Sequence, residues 1–112
     1  MYTDRVAWKI LRTLDSSTMA SAVTYYNVGT PLANPSYICK LVNNSNVLVT
    51  VSIDGATDID VAPANSFWLY DEGKVGQNAG FPALPKGTQI SCKAAAPGVG
   101  NIYLVSQYLI KP

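Results

Sequence analysis

The sequence predicts a single antiparallel β-sandwich domain of about seven to nine short strands that spans residues 1–112. Apolar and polar residues alternate with a period of two along most of the chain, which is typical of half-buried strands. Clusters of Gly, Pro, Asn and Ser separate these runs at short intervals, as in sandwiches and barrels. No window combines a sustained helical repeat with capping residues. The topology, jelly-roll or immunoglobulin-like, stays open.

The first third of the chain contains two predicted strands. RVAWKIL, residues 5–11, alternates apolar and polar side chains and predicts the first strand. The Ser-rich stretch 15–22 predicts a loop or an irregular strand. AVTYYNV, residues 22–28, is rich in β-branched and aromatic residues and predicts the second strand. Pro31 and Pro35 then exclude a central strand, because proline cannot donate a ladder hydrogen bond.

The middle of the chain has the clearest strand pattern. SYICKLV, residues 36–42, predicts a strand, and the polar cluster NNSN at 43–46 predicts the turn that ends it. VLVTVSI, residues 47–53, predicts a strand whose alternate residues share one face: Val47, Val49, Val51 and Ile53. Asp54 and Gly55 then predict a tight hairpin turn into a short return strand, TDIDV.

The last third contains three more predicted strands. SFWLYD, residues 66–71, should place Phe67 and Leu69 on one face and Trp68 and Tyr70 on the other. TQISCKA and the terminal IYLVSQYLI follow, and we expect the terminal strand to be an exposed edge that pairs with a neighbouring chain. The Gly/Pro-rich loop 72–87 and the N-terminal arm 1–5 are the predicted partner contacts.

The charge content favours a protein that works inside an assembly. Only 13% of residues are charged and the net charge is +1, against about 25% charged residues in a typical soluble domain. A charge-poor surface favours burial against partners, so a homo-oligomer is predicted; an extracellular, Asn/Thr-rich β-domain is the alternative. The eight Lys and Arg residues are scattered, which argues against nucleic acid as a partner. No apolar run reaches the length of a membrane span.

The termini and cysteines indicate a product made in the cytoplasm. The chain begins with Met1 and carries Asp4 and Arg5 without a long apolar stretch, so no signal peptide is predicted. The alternative is a mature product whose signal peptide was removed and to which Met was added. Cys39 and Cys92 lie in strand-like runs and are predicted to be buried free thiols. A Cys39–Cys92 disulfide is the alternative for a secreted domain.

The sequence lacks the residues that most enzymes and metal sites need. The absence of histidine excludes Ser-His-Asp and Cys-His catalysis and histidine metal sites. Asp54, Asp58 and Asp60 have a spacing that can ligate calcium, but an EF-hand loop needs further ligands, and a solvated turn and strand is preferred. Asp71 and Glu72 are adjacent and should point to opposite sides, unlike a glycosidase pair. We predict a non-enzyme with no catalytic, metal or cofactor-binding residues.

The aromatic side chains are the main candidates for binding. They suit a sugar-stacking platform or a protein interface, and about half of them should belong to the core. The residues concerned are Trp8, Trp68, Tyr25, Tyr26, Tyr37, Tyr70, Tyr103 and Tyr108.

A series of motifs runs from about residue 25 to 110. It contains an Asn-rich turn, a β-branched strand ending S-x-D-G, a P-A-x-S turn, an aromatic strand ending in Asp, a later K-G-T and a terminal Tyr-containing strand. The matching residues are Asn43, Asn44, Ser52, Asp54, Gly55, Asp58, Pro63, Ala64, Ser66, Asp71, Lys86, Gly87, Thr88, Tyr103 and Tyr108, with segment 28–35. This order resembles a group of small proteins encoded in tailed-phage genomes.

The resemblance implies a virion structural protein. Such a protein is a β-sandwich bound either to the capsid, as a head decoration or cement subunit, or to the head–tail connector as an adaptor. Its partners would be the major capsid protein or the portal and adaptor proteins, and no catalytic residue is carried over. Two alternatives remain at this point: a carbohydrate- or receptor-binding β-sandwich, and a secreted or cell-surface β-domain.

Overall fold

A computed structural model describes residues 5–71 and 84–110, which form two antiparallel sheets. The prediction of an all-β sandwich of seven to nine strands is confirmed, and apart from the strands these residues contain one short 3-10 turn, Ser16–Thr18. The strands are β1 (Arg5–Trp8), β2 (Arg12–Asp15), β3 (Tyr26–Asn27), β4 (Ile38–Ser45), β5 (Val49–Ser52), β6 (Asp60–Ala62), β7 (Ser66–Asp71), β8 (Ser91–Ala94) and β9 (Gly100–Ile110).

The larger sheet has the order β1-β9-β4-β7, and β2 continues alongside β9 beyond β1. The smaller sheet has the order β3-β8-β5-β6. The long strand β9 therefore pairs on both sides: with β1 and β2 on one side and with β4 on the other. The prediction that the terminal strand is an exposed edge is wrong, because its backbone groups are shared with both neighbours along most of its length.

The first predicted strand is interrupted by a β-bulge. Trp8 lies opposite Gln107 and Arg12 lies opposite Leu104, so three residues on the N-terminal side face two residues of β9. One extra residue in one strand of a pair bends that strand and disrupts the ladder locally. The predicted strand 5–11 therefore ends early, at Trp8, and β2 follows the bulge at residues that the pattern did not assign to a strand. The second predicted strand, 22–28, is reduced to the two residues of β3.

The core lies between the sheets and follows the alternation in the sequence. Leu41, Trp68 and Leu104 form one row across the inner side of the larger sheet. Val49 and Val51 are fully buried on the smaller sheet, with Val47 and Ile53 packed against the core, so the predicted apolar face of that strand is confirmed. The remaining buried core residues are Met19, Val28, Leu32, Cys39, Ala62, Leu84, Ile90, Cys92, Ala94 and Ile102.

A buried asparagine explains why the Asn-rich cluster is not a turn. Strand β4 continues through Asn43, whose side chain is completely buried. Its Nδ2 donates to the carbonyl oxygens of Val47 at 2.7 Å, Ala62 at 2.8 Å and Pro63 at 3.1 Å. Its Oδ1 accepts from the backbone N–H and the hydroxyl of Ser45. Asn43 thus joins the larger sheet to the end of β6 in the smaller sheet, and the predicted turn at 43–46 begins too early.

The β5–β6 hairpin is present, but its turn is longer than two residues. Strand β5 ends at Ser52 and β6 begins at Asp60. The Asp54 carboxylate accepts from the backbone N–H groups of Ala56 at 2.8 Å and Thr57 at 2.7 Å. These hydrogen bonds favour the ionised form and hold the pKa of Asp54 well below its usual range. The prediction of a hairpin at Asp54 is therefore correct, and its tight turn is replaced by a loop organised around this carboxylate.

Two predicted contact segments fall mostly outside the described residues. These are residues 1–4 of the N-terminal arm and residues 72–83 of the Gly/Pro-rich loop. In the described part of the chain, no helix is long and apolar enough to cross a membrane.

Candidate interaction surface

The three carboxylates considered for calcium engage separate partners. Asp58 contacts the Lys93 ammonium at 3.1 Å and accepts a hydrogen bond from the Tyr25 hydroxyl. Asp60 accepts a hydrogen bond from the backbone N–H of Val61, and Asp54 accepts one from the backbone N–H of Ala56 in its own loop. Residues 5–71 and 84–110 hold no group of three or more side chains that could bind a metal ion. Asp54 therefore organises the β5–β6 loop, whereas Asp58 joins that loop to Lys93 of β8 and to Tyr25.

Both cysteines are free and buried, as the sequence predicts. Burial raises the pKa of the Cys39 thiol to about 11 and that of the Cys92 thiol to about 12, because the thiolate is poorly solvated inside the core. Sγ of Cys92 lies 4.0 Å from Sδ of Met19, in an apolar setting. Neither thiol has the ionisation that a nucleophile or metal ligand requires at neutral pH.

The buried thiols give a prediction about modification rates. In the native protein at pH 8 we expect both cysteines to react with Ellman's reagent at least a hundredfold more slowly than in denaturant, because each is protonated and inaccessible. The measurement is the absorbance time course with and without guanidinium. Rapid native reaction of either thiol would contradict the buried placement of that strand.

Arg12 is a buried cation that the sequence does not distinguish from the scattered surface charges. Its side chain is only 7% exposed, and burial lowers the pKa of its guanidinium from the usual value. Nη1 lies 3.5 Å from the Ser106 hydroxyl, and Nη2 has no hydrogen-bond partner among the described residues. It points inward from β2 beside Cys39, where it contributes to the end of the core and is inaccessible to a large ligand.

The side of the larger sheet that faces away from the core is the main candidate surface, and we call it the outer face. Three rows that contain its apolar side chains cross it, beside a fourth, polar row of Asp15, Asn101 and Asn44, as the strand registers show. The rows are Trp8, Gln107, Ile38 and Asp71; then Val105, Lys40 and Leu69; then Thr13, Tyr103, Val42 and Phe67.

The outer face is more apolar than a solvated sheet surface should be. Trp8 is 63% exposed, Phe67 51% and Leu69 46%, and Ile38, Val42 and Val105 are partly exposed between them. An antiparallel sandwich normally alternates apolar residues inside with polar residues outside. The outward apolar residues form one contiguous patch across four strands, and contiguous patches on a soluble protein mark interaction sites.

A single cation stands within the patch. Lys40 lies between Val105 and Leu69 in the middle row, and its Nζ is 5.0 Å from the centre of the Phe67 ring. The ring face attracts the ammonium, which keeps the lysine stem flat against the apolar surface. A partner can therefore cover the patch in two ways. It can leave the contact between Lys40 and the Phe67 ring intact, or it can place a carboxylate beside the Lys40 ammonium.

A shallow groove of about 260 Å³ crosses one end of the outer face. Its lining includes Phe67, Val42 and Tyr103 together with Asn44 and Asn65. Asn65 has a left-handed backbone with φ of 59°, a conformation that asparagine tolerates better than most residues. Aromatic rings and side-chain amide groups therefore line the same groove.

The eight aromatic residues divide between the core and the surface. Trp68 and Tyr37 are buried, and Tyr26 and Tyr70 pack against the core. Trp8 and Tyr103 lie on the outer face, Tyr25 lies over Lys93 on the smaller sheet, and Tyr108 is partly exposed. The sequence predicted the alternation within β7, but it could not show that Trp8, Phe67 and Tyr103 share one face.

The chain matches none of the known family models or curated proteins with which it was compared.

Proposed function

We propose that this protein is a non-enzymatic structural subunit of a tailed-phage virion that stabilises the particle by docking its outer face onto a neighbouring subunit. The observation that carries the proposal is the contiguous patch of half-exposed apolar side chains across the larger sheet. The phage assignment is supported by the motif order from Asn43 to Tyr108, and the partner by the apolar chemistry of the face.

The patch has the size and chemistry of an interface core. Four strands about 4.8 Å apart and three rows about 6.8 Å apart give a flat area of about 400 Å². A standard interface buries about 800 Å² on each partner, so this face supplies about half of one side. Covering the exposed halves of Trp8, Phe67 and Leu69 would contribute about 1 kcal/mol or more each. The remaining contact area would come from polar residues at the rim.

A head decoration subunit and a head–tail adaptor both fit this arrangement. In either case the partner is another virion protein, the major capsid protein or a portal or adaptor protein. The protein would be made in the host cytoplasm and retained in the particle. Charge plays a small part in docking, because the described rows of the outer face carry one cation, Lys40, and two anions at their margins, Asp71 and Asp15.

The proposal is tested first on particles. Purified virions of the phage that encodes this chain are expected to contain it in stoichiometric amounts by mass spectrometry. Purified protein is expected to co-sediment with capsids assembled in its absence. Virions that lack the protein, or capsids that leave it in the supernatant, would reject the structural role.

The groove supports a second candidate function, carbohydrate binding. Tyr103 can stack on a sugar ring, whereas Lys40 already lies over the ring of Phe67. The amides of Asn44 and Asn65 can hydrogen-bond sugar hydroxyls. A glycan array decides between the two. Specific binding that Tyr103→Ala abolishes would favour a receptor-binding module, and an empty array would leave the docking role as the better account.

A further inference from the structure

Among residues 5–71 and 84–110, strand β7 pairs on one side only, with β4, and it lacks the features that protect the other edges. Unpaired edge strands template pairing with another chain, and proteins blunt them by shortness, charge, proline or bulges. Among the described residues, β3 and β6 are only two and three residues long. The β1–β2 edge is broken by a bulge that contains Lys9. In contrast, β7 has six residues without a bulge, a lysine or a proline, and its one charge is at its end, Asp71.

The side chains of β7 favour pairing with an identical strand. Two antiparallel copies related by a two-fold axis perpendicular to the sheet keep their inner and outer faces aligned only if the axis lies midway between the two copies of one residue. An axis at Trp68 places Phe67 opposite Leu69 of the second copy, and Leu69 opposite the second Phe67. Both residues are about half exposed in the single chain, so each would bury apolar surface against the other.

The alternative register is less favourable. An axis at Leu69 would place Phe67 opposite the carboxylate of Asp71, which gives up one of the apolar pairs. The axis at Trp68 leaves both Asp71 residues beyond the paired segment. With a net charge of +1, two copies repel each other little.

We propose that β7 pairs with β7 of a second copy of this chain, in antiparallel register centred on Trp68. The larger sheets of the two copies then become one continuous sheet, and their outer faces form one apolar surface of twice the area. The dimer forms through the β7 edge, whereas docking to a virion partner uses the outer face. Either contact can therefore be present without the other.

Solution mass separates edge pairing from face-to-face stacking. Light scattering after size exclusion is expected to show a dimer of the full chain. Leu69→Glu should weaken the dimer at least tenfold, because it places a carboxylate opposite Phe67. The matched control is Val105→Glu, since Val105 and Leu69 flank Lys40 in the same row and only Leu69 lies on the edge strand. Val105→Glu should remain a dimer.

The opposite results would overturn the proposal. A wild-type monomer at the highest soluble concentration would exclude the dimer. Equal loss of the dimer in both variants would indicate stacking through the outer face instead. A dimer unaffected by Leu69→Glu would place the contact elsewhere.

Disulfide trapping tests the register. Directly opposite residues have Cα atoms about 4.5–5.5 Å apart, which suits a disulfide. An oxidised mixture of Phe67→Cys and Leu69→Cys proteins is expected to form a covalent dimer, because positions 67 and 69 lie opposite each other in this register. The native cysteines are both buried and should not compete for cross-linking. Thr13→Cys, on the opposite edge of the same sheet, should not cross-link to Leu69→Cys. Stronger cross-linking of Leu69→Cys to itself, or any product with Thr13→Cys, would contradict this pairing.

Discussion

Replacing Asn43 with alanine is expected to lower the free energy of unfolding by about 3–5 kcal/mol. The substitution removes the donor shared by the carbonyl oxygens of Val47, Ala62 and Pro63 and the acceptor used by Ser45. The carbonyl oxygen of Ala62 and the backbone N–H of Ser45 would lose this partner inside the core, and each unsatisfied group is costly in a low-dielectric setting. The carbonyl oxygens of Pro63 and Val47 would keep only their hydrogen bonds from the Ser66 N–H and the Ser45 hydroxyl. Urea denaturation followed by tryptophan fluorescence measures the change.

The adjacent Asn44 provides a matched control. It has the same side chain in the same strand, but it points to solvent. We expect Asn44→Ala to change the free energy of unfolding by less than about 0.5 kcal/mol, as surface substitutions usually do. If Asn43→Ala were as mild as Asn44→Ala, the buried amide would not be what joins the two sheets.

Replacing Gly100 with alanine is expected to destabilise the protein by about 3–4 kcal/mol. Gly100 has φ of 115°, and an added Cβ would lie 2.1 Å from the carbonyl oxygen of Asn44 and 2.9 Å from Cα of Ser45. Both obstacles are backbone atoms of the paired strand β4, so the start of the β4–β9 ladder would have to separate. Thermal and urea unfolding would measure the loss.

Gly55 isolates the contribution of backbone conformation. Its φ is 73°, yet nothing lies within 4 Å of an added Cβ. Gly55→Ala should therefore lose only about 1–2 kcal/mol, the penalty of a left-handed conformation for alanine. Equal effects at the two glycines would mean that the close approach of Gly100 to β4 is absent in solution.

Local patterns were sufficient to predict the strands that contain the core. The alternation in VLVTVSI and SFWLYD assigns Val49 and Val51 to the interior and separates Trp68 from Phe67, and the structure agrees. The buried free thiols follow from the same patterns, since Cys39 and Cys92 occupy inward positions of apolar strands. These features depend on neighbours along the chain, which a sequence displays directly.

Features that depend on strand order could not be predicted. Nothing in IYLVSQYLI distinguishes an edge strand from a central strand. The sequence therefore suggests an edge, although β9 pairs with three strands, β1, β2 and β4. Asn43 has turn-forming chemistry, and only the distant carbonyl groups of Ala62 and Pro63 make its burial favourable. The outer face likewise exists because β9 and β4 bring Trp8, Tyr103 and Phe67 into one plane, and local propensity contains no record of that pairing.

The most direct test of the outer face as the docking surface is co-sedimentation of Val105→Glu with capsids assembled without the protein. Val105 lies near the middle of the patch and away from the β7 edge, so a charge there should weaken capsid binding at least tenfold while the dimer and the fold persist. Val61→Glu, which alters a half-exposed valine on the smaller sheet, should bind like the wild type. Undiminished binding of Val105→Glu would contradict docking through the outer face.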